Sequence, residues 1–167
     1  MKIFKQFISA IAIIIIPLVV VPNLVQAQND KKNKEEQVKS LIQTKVFVFK
    51  AQTAIPMKGG VRNLTSDYDI TVSNDTLNSY LPYFGQAYAP SDPTQGPLQF
   101  TSTKFDYKAI EGKKGGWDIT IIPHDTKDVR QLYLSVSRNG YGTLNVNSNN
   151  RQPITFNGYI TEIMHRK

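Results

Sequence analysis

The sequence has no cysteine, a single tryptophan and only two histidines, and each shortage removes a class of chemistry. Without cysteine there is no thiol nucleophile, no zinc cluster of cysteines and no iron–sulfur site. There is no disulfide either, so the chain must be held by packing and strand pairing alone. A lipid-modified cysteine behind an export signal is excluded on the same ground. The serines stand in no Gly-x-Ser-x-Gly elbow and no Ser-x-x-Lys context, and no repeat of fixed period is visible.

The N-terminal end carries the clearest signal. Lys2 and Lys5 precede a greasy run over residues 7–21, and Val25-Gln26-Ala27 leads into polar Gln28. A cationic start, a short apolar middle and a small exit residue describe a secretory signal peptide, removed after Ala27. Pro17 and Pro22 interrupt the run and charge follows at Asp30-Lys31-Lys32, so it is short of the roughly 20 apolar residues of a retained span. The expected organisation is a signal peptide over 1–27, a flexible polar leader over 28–33 and one domain over 34–167. No transmembrane span is expected once the signal is gone.

The formal net charge is +7, and without Lys2 and Lys5 it falls to +5. Much of the excess lies in Lys31-Lys32-Asn33-Lys34 and His165-Arg166-Lys167. Such terminal clusters read as solvated ends or as weak contacts with anionic lipid. Neither forms the aromatic–basic pattern of a nucleic-acid binder, and no nucleic-acid partner is expected.

Past the leader, Val38, Leu41 and Ile42 make a short apolar stripe that predicts one helix over 34–44. From Lys45 the period changes from helix to strand. Val46-Phe47-Val48-Phe49 is β-branched and aromatic. Tyr68, Ile70 and Val72 alternate with polar residues, as do Phe105, Tyr107 and Ala109, then Trp117, Ile119 and Ile121, then Leu132, Leu134 and Val136. A return strand is expected over 76–81 and another at Leu144 and Val146. Asn139-Gly140 predicts a hairpin with a type I′ turn, in which both residues have positive φ. A long final strand over 154–163 is expected to carry a bulge at Gly158. About eight strands joined by tight turns imply antiparallel pairing, because parallel neighbours need long crossovers. The expected fold is α+β and mainly β, a meander-like sheet with one short N-terminal helix. The pattern leaves open whether that sheet is open, a sandwich or partly closed.

Several of these features recur together in a known order: the signal, the short helix, the early aromatic strand, Leu81-Pro82-Tyr83-Phe84-Gly85 within residues 80–88, the lone Trp117 and the Asn139-Gly140 hairpin. In them the chain resembles the exported Bacteroidetes-type proteins grouped as domain of unknown function 4251. The resemblance runs from about Lys34 to Ile163. It implies a Gram-negative envelope address, periplasmic or secreted, and a helix-plus-antiparallel-sheet fold. It implies no activity, substrate, cofactor or catalytic residue.

Three clusters could carry function. Residues 80–88 gather aromatics around Pro82 and Gly85, and Tyr80, Tyr83, Phe84 and Tyr88 could stack on sugar rings or grip an apolar partner; alternatively Leu81 and Phe84 plug one end of the sheet. His124 with Asp125 and Asp128 brings imidazole and carboxylates together, as a metal corner or acid–base pair would, though a turn after Pro123 explains them equally. Asp67 and Asp69, two apart on a strand, could pair for glycoside hydrolysis or simply face water. No catalytic residue, metal or cofactor is assigned. The expected function is a non-enzymatic binding or interaction module in the periplasm, its partner an envelope protein, a glycan or an apolar small molecule. The alternatives are a small hydrolase of glycan or cell-wall material, using Asp67, Asp69, His124 or Asp125, and a carrier of an apolar ligand inside a curled sheet.

Overall fold

The computed structural model describes residues 22–86, 96–112 and 115–164, with side chains from Asp30 onward. The chain begins with helix α1 (Pro22–Thr44). The helix starts at Pro22 rather than at Lys34, so it also runs across the expected cleavage point and leader. Nothing after Pro22 interrupts it, since residues 23–44 hold no glycine or proline, and proline itself is tolerated in a first turn. It stops at Lys45, which takes a φ of 56°. Val46 N–H then donates to Leu41 O at 3.2 Å and Lys45 N–H to Ile42 O at 3.3 Å. These are the two bonds of a Schellman cap, here closed by lysine where glycine is usual.

Nine strands follow: β1 (Phe47–Pro56), β2 (Arg62–Val72), β3 (Leu77–Leu81), β4 (Leu98–Ser102), β5 (Phe105–Glu111), β6 (Trp117–Pro123), β7 (Val129–Val136), β8 (Tyr141–Ser148) and β9 (Ile154–Thr161). They form one sheet in the order β4-β3-β2-β1-β9-β8-β7-β6-β5, with every neighbouring pair antiparallel. The sheet's two outermost strands, β4 and β5, are consecutive in sequence and separated only by Thr103 and Lys104. Its edges must therefore meet, and the sheet curls into a nearly closed barrel. The alternating directions make β4 and β5 run the same way, so together they behave as one long strand bent at residues 103–104. Its first half pairs with β3 and its second with β6, which is how a strand turns a corner between two sheet segments.

That corner is held by a polar clasp. Ser102, fully buried, donates its hydroxyl to Asp125 Oδ1, and Thr103 N–H donates to Asp125 Oδ2 at 2.9 Å. His124 N–H adds a bond to Lys104 O at 2.7 Å. The Ser102 hydroxyl, followed by the Thr103 amide, holds the Asp125 carboxyl at about 2, below its ordinary 3.8. A carboxyl lowered by folding stabilises the fold above its unfolded value and stops doing so as pH falls through its folded one. The corner is thus expected to loosen between about pH 4 and pH 2, read as faster amide exchange at residues 102–104. Asp125→Asn should flatten that pH response; an unchanged response in the variant would contradict the assignment.

The interior is filled from all sides. Phe47, Phe49, Phe156, Leu132, Leu134 and Leu144 are among its fully buried side chains, and Trp117 packs with them as an inward residue of β6. Helix α1 closes one end. Val38 and Ile42 are each 1% exposed, Val38 lies over Gly140, and the Tyr107 hydroxyl donates to Ile42 O at 3.0 Å. Burial pushes the Tyr107 phenol well above its ordinary value. Among the described residues no helix is long and apolar enough to cross a membrane.

Three local expectations are corrected. The strand missing from the sequence reading is β4, whose third inward position is Ser102 rather than an apolar residue. The bulge lies on β1 and not on β9: Ala51 pairs with Gly158 and Thr53 with Asn157, leaving Gln52 as the extra residue. Strand β9 keeps Ile154, Phe156, Gly158 and Ile160 on one face throughout. Finally, only Gly140 of the Asn139-Gly140 pair has positive φ, 86°. Gly140 N–H donates to Ser137 O at 2.9 Å and Ser137 N–H to Tyr141 O at 2.8 Å. The hairpin is therefore a three-residue loop ending in a left-handed glycine, and not a two-residue type I′ turn.

Candidate functional site

The aromatic segment after β3 is divided between surface and structure. Tyr80 points outward, 45% exposed, with its ring 5.4 Å from that of Tyr68. Tyr83 is half-buried, and its hydroxyl is shared between Gln86 O at 3.0 Å and Gln152 O at 3.1 Å. Arg151 lies over the Tyr83 ring at 4.9 Å, while Arg62 lies over Phe84 at 4.8 Å. A side chain at Gly85 would collide with the Tyr83 phenol. Tyr83 and Phe84 are thus packed against the core at this end of the barrel. Tyr88 lies outside the described residues.

The anchor of that end is Arg151, which the sequence reading passed over in a polar turn. It is 2% exposed. Its Nη1 donates to Gly96 O at 2.7 Å, and its Nε sits 3.1 Å from Asp128 Oδ2. One guanidinium ties together the loops around residues 83–86, 96–97, 124–129 and 149–152.

The acidic candidates scatter. His124 Nε2 pairs with Asp106 Oδ2 at 3.0 Å, both well exposed; Asp125 clasps the β4–β5 corner; Asp128 faces Arg151. Asp69 is taken by Lys50 Nζ at 2.6 Å, while Asp67 stands exposed in an excursion of β2 where residues 64–67 oppose the single Gln52. No group of three metal-ligating side chains occurs among the described residues; His165 lies outside them.

A different surface collects recognition chemistry. Register aligns outward residues of successive strands into rows. Asp118 pairs with Ser135, Ser135 with Thr143 and Thr143 with Asn157. A second row joins Tyr141 to Tyr159, Tyr159 to Lys50, Lys50 to Asp69 and Asp69 to Tyr80. Tyr133, Tyr141 and Tyr159 are 40%, 61% and 38% exposed, large areas for rings to leave in water. Thr143 donates to Asn157 Oδ1 at 3.0 Å and Asn145 to Thr155 Oγ1 at 3.1 Å, so the polar side chains are held in fixed positions. A hydrogen bond from Tyr133 to Asp118 raises the phenol's pKa.

These rows enclose a groove of about 660 Å³ running from the Gly115–Gly116 turn across β6 to β9, past Ser135, Tyr141, Thr143 and Asn157, to Gln52. A second groove of about 550 Å³ begins at Gln52 and runs past Tyr159 and Lys50 to residues 63–68. The two share Gln52, at the β1 bulge, as a lining residue. Outward positions on β7, β8 and β9 flanking the groove are Tyr133 and Ser135, then Tyr141, Thr143 and Asn145, then Thr155, Asn157 and Tyr159, with no charge among them. Elsewhere the outer surface carries charge freely, as at Lys50, Arg62, Asp106, Lys108 and Glu111. Alternation marks each of these tyrosines as outward, but only the register between strands brings them together.

Comparison with known proteins places the fold. A family model described as "Domain of unknown function (DUF4251)" matches residues 29–160. The chain is similar to the crystal structure of a DUF4251 family protein from Bacteroides eggerthii DSM 20697, with a TM-score of 0.59 and 16% sequence identity, over 81% of this chain and 91% of that one. No curated protein matches.

Proposed function

The chain belongs to the DUF4251 family, and on that basis we propose that it is an exported, non-enzymatic binding module of the bacterial envelope, periplasmic or released, whose binding face is the outer surface of β6 to β9. Export rests on the cationic, apolar and small-residue segment over residues 1–27. The observation that carries the binding role is the uncharged face of tyrosine, serine, threonine and asparagine over an open groove. Exposed tyrosines give broad contact at low entropy cost, and short polar side chains adapt their hydrogen bonds to a ligand. The interior, filled by phenylalanine and leucine side chains, favours a ligand held outside the barrel over one carried within it. The hydrolase candidates Asp67, Asp69, His124 and Asp125 have separate surroundings, and three of them have structural partners.

A charge test separates this face from the aromatic loop. Ser135→Lys combined with Asn157→Lys leaves the core untouched and should melt within a few degrees of the parent, surface changes being worth about 0.5 kcal/mol or less. Immobilised on resin, the parent should retain a component of solubilised envelope that this variant fails to retain. Equal retention by both, or loss only on changing Tyr83 and Phe84, would contradict the assignment.

A further inference from the structure

We infer that the ligand of this face is a neutral oligosaccharide lying across both grooves. The inference rests on the binding-face reading above and adds the ligand's chemistry. Three observations carry it.

The first is the balance of polar and aromatic groups. Hydroxyls and amides from Ser135, Thr143 and Asn157 present mixed donors and acceptors at fixed positions along one row. That suits a ligand which is itself a row of hydroxyls. Tyr141 and Tyr159 rise beside it as paired partners on β8 and β9, offering faces on which the apolar side of a sugar ring can stack.

The second is charge. The carboxylates along the groove are Asp118 on β6 and Asp67 in the β2 excursion, with Lys50 neutralised by Asp69 at 2.6 Å. Lining positions on β7, β8 and β9 carry no cation. A uronic-acid, sulfated or phosphorylated chain would meet Asp118 in the main groove, where the lining residues hold no cation and Arg138 packs against the Gly115 end. A neutral chain meets no such cost, and carboxylates accept well from sugar hydroxyls.

The third is length. From β6 through β7, β8, β9 and β1 to β2 the two grooves together span five strand spacings, an arc of about 24 Å at roughly 4.8 Å each. That exceeds any single sugar and fits a chain of several. The inward-facing pair Gly142–Gly158 lies at its middle, between Tyr141 and Tyr159.

The test is isothermal titration of the intact mature chain with maltohexaose, cellohexaose, xylohexaose and a hexamer of N-acetylglucosamine, against a hexamer of galacturonic acid as the anionic probe. At least one neutral hexamer should bind and the galacturonate should not. Tyr141→Ala and Tyr159→Ala should each weaken the bound hexamer about tenfold, and Asn157→Ala should weaken it while the melting temperature stays put. Preference for the anionic hexamer overturns the inference. So does failure of all neutral hexamers while the resin still distinguishes the parent from the charged variant; in that case the face binds, but binds something other than a neutral glycan. If the resin also fails to distinguish them, the binding-face reading falls with it.

Discussion

Gly158→Ala is expected to cost about 3 kcal/mol of folding stability, a large loss for a single methyl group. Gly158 sits inward on β9 directly opposite Ala51, beside the bulge at Gln52. A Cβ there would overlap the Lys50 carbonyl and press on the Ala51 Cα at 3.1 Å. Both obstacles are backbone, so no rotamer change relieves them. The β1–β9 ladder would have to part at the point where it joins the two halves of the sheet. Gly60→Ala is the natural control, since a Cβ at Gly60 meets nothing within 4 Å. Urea titration should show the Gly158 variant with a much lower midpoint and the Gly60 variant within about 0.5 kcal/mol of the parent. Loss of less than 1 kcal/mol at Gly158 would mean that the bulge adjusts and that the barrel is looser than described.

Arg151→Met should destabilise by roughly 3 kcal/mol. Most of that comes from what is left behind. Asp128, with its side chain 24% exposed, loses the cation beside it, and the Gly96 carbonyl loses its donor. The ring of Tyr83 loses the guanidinium stacked on it. Asp128→Leu in the Arg151→Met background should therefore recover part of the stability, because the carboxylate that has lost its guanidinium is removed as well. If the double variant is as unstable as the sum of both single changes, the ion pair is not what holds this end. Thermal unfolding reads the difference, at about 2–4 °C per kcal/mol for a chain of this length.

Strict alternation made most of the sheet legible in sequence, since Ile119-x-Ile121 or Leu132-x-Leu134 admits few readings other than a half-buried strand. The failures have specific causes. Strand β4 went unread because Ser102 occupies an inward position that the Asp125 clasp satisfies, and Asp125 is far away in sequence. Closure of the sheet was undecided for the same reason: the bend at Thr103-Lys104 shows no proline or glycine, and its stabilising partners come from the β6–β7 connection. Gly158 stands out in the sequence, but the bulge was expected on its own strand rather than on β1, because the extra residue it accommodates, Gln52, has no local mark.

The candidate surface was harder to read than the fold. Residues 80–88 attract notice because their aromatics are adjacent in the chain, yet Tyr83 and Phe84 turn out to pack against Arg151 and Arg62. Tyr141, Thr143 and Asn157 look like ordinary outward residues one strand at a time. They become a site only when the registers of β7, β8, β9 and the β1 bulge set them side by side. Arg151 illustrates the converse: a charged residue in a polar turn, buried because four loops converge on it.

The central claim, that the outer face of β6 to β9 is where this module meets its ligand, is tested most directly by nuclear magnetic resonance. The isotope-labelled chain, residues 28–167, would be titrated with size-fractionated bacterial envelope polysaccharide. The account predicts amide shifts concentrated at Ser135, Tyr141, Thr143, Asn157 and Tyr159, with residues 83–86 unmoved. Shifts centred on residues 83–86, or on the Asp125 corner, with the outer face silent, would contradict it.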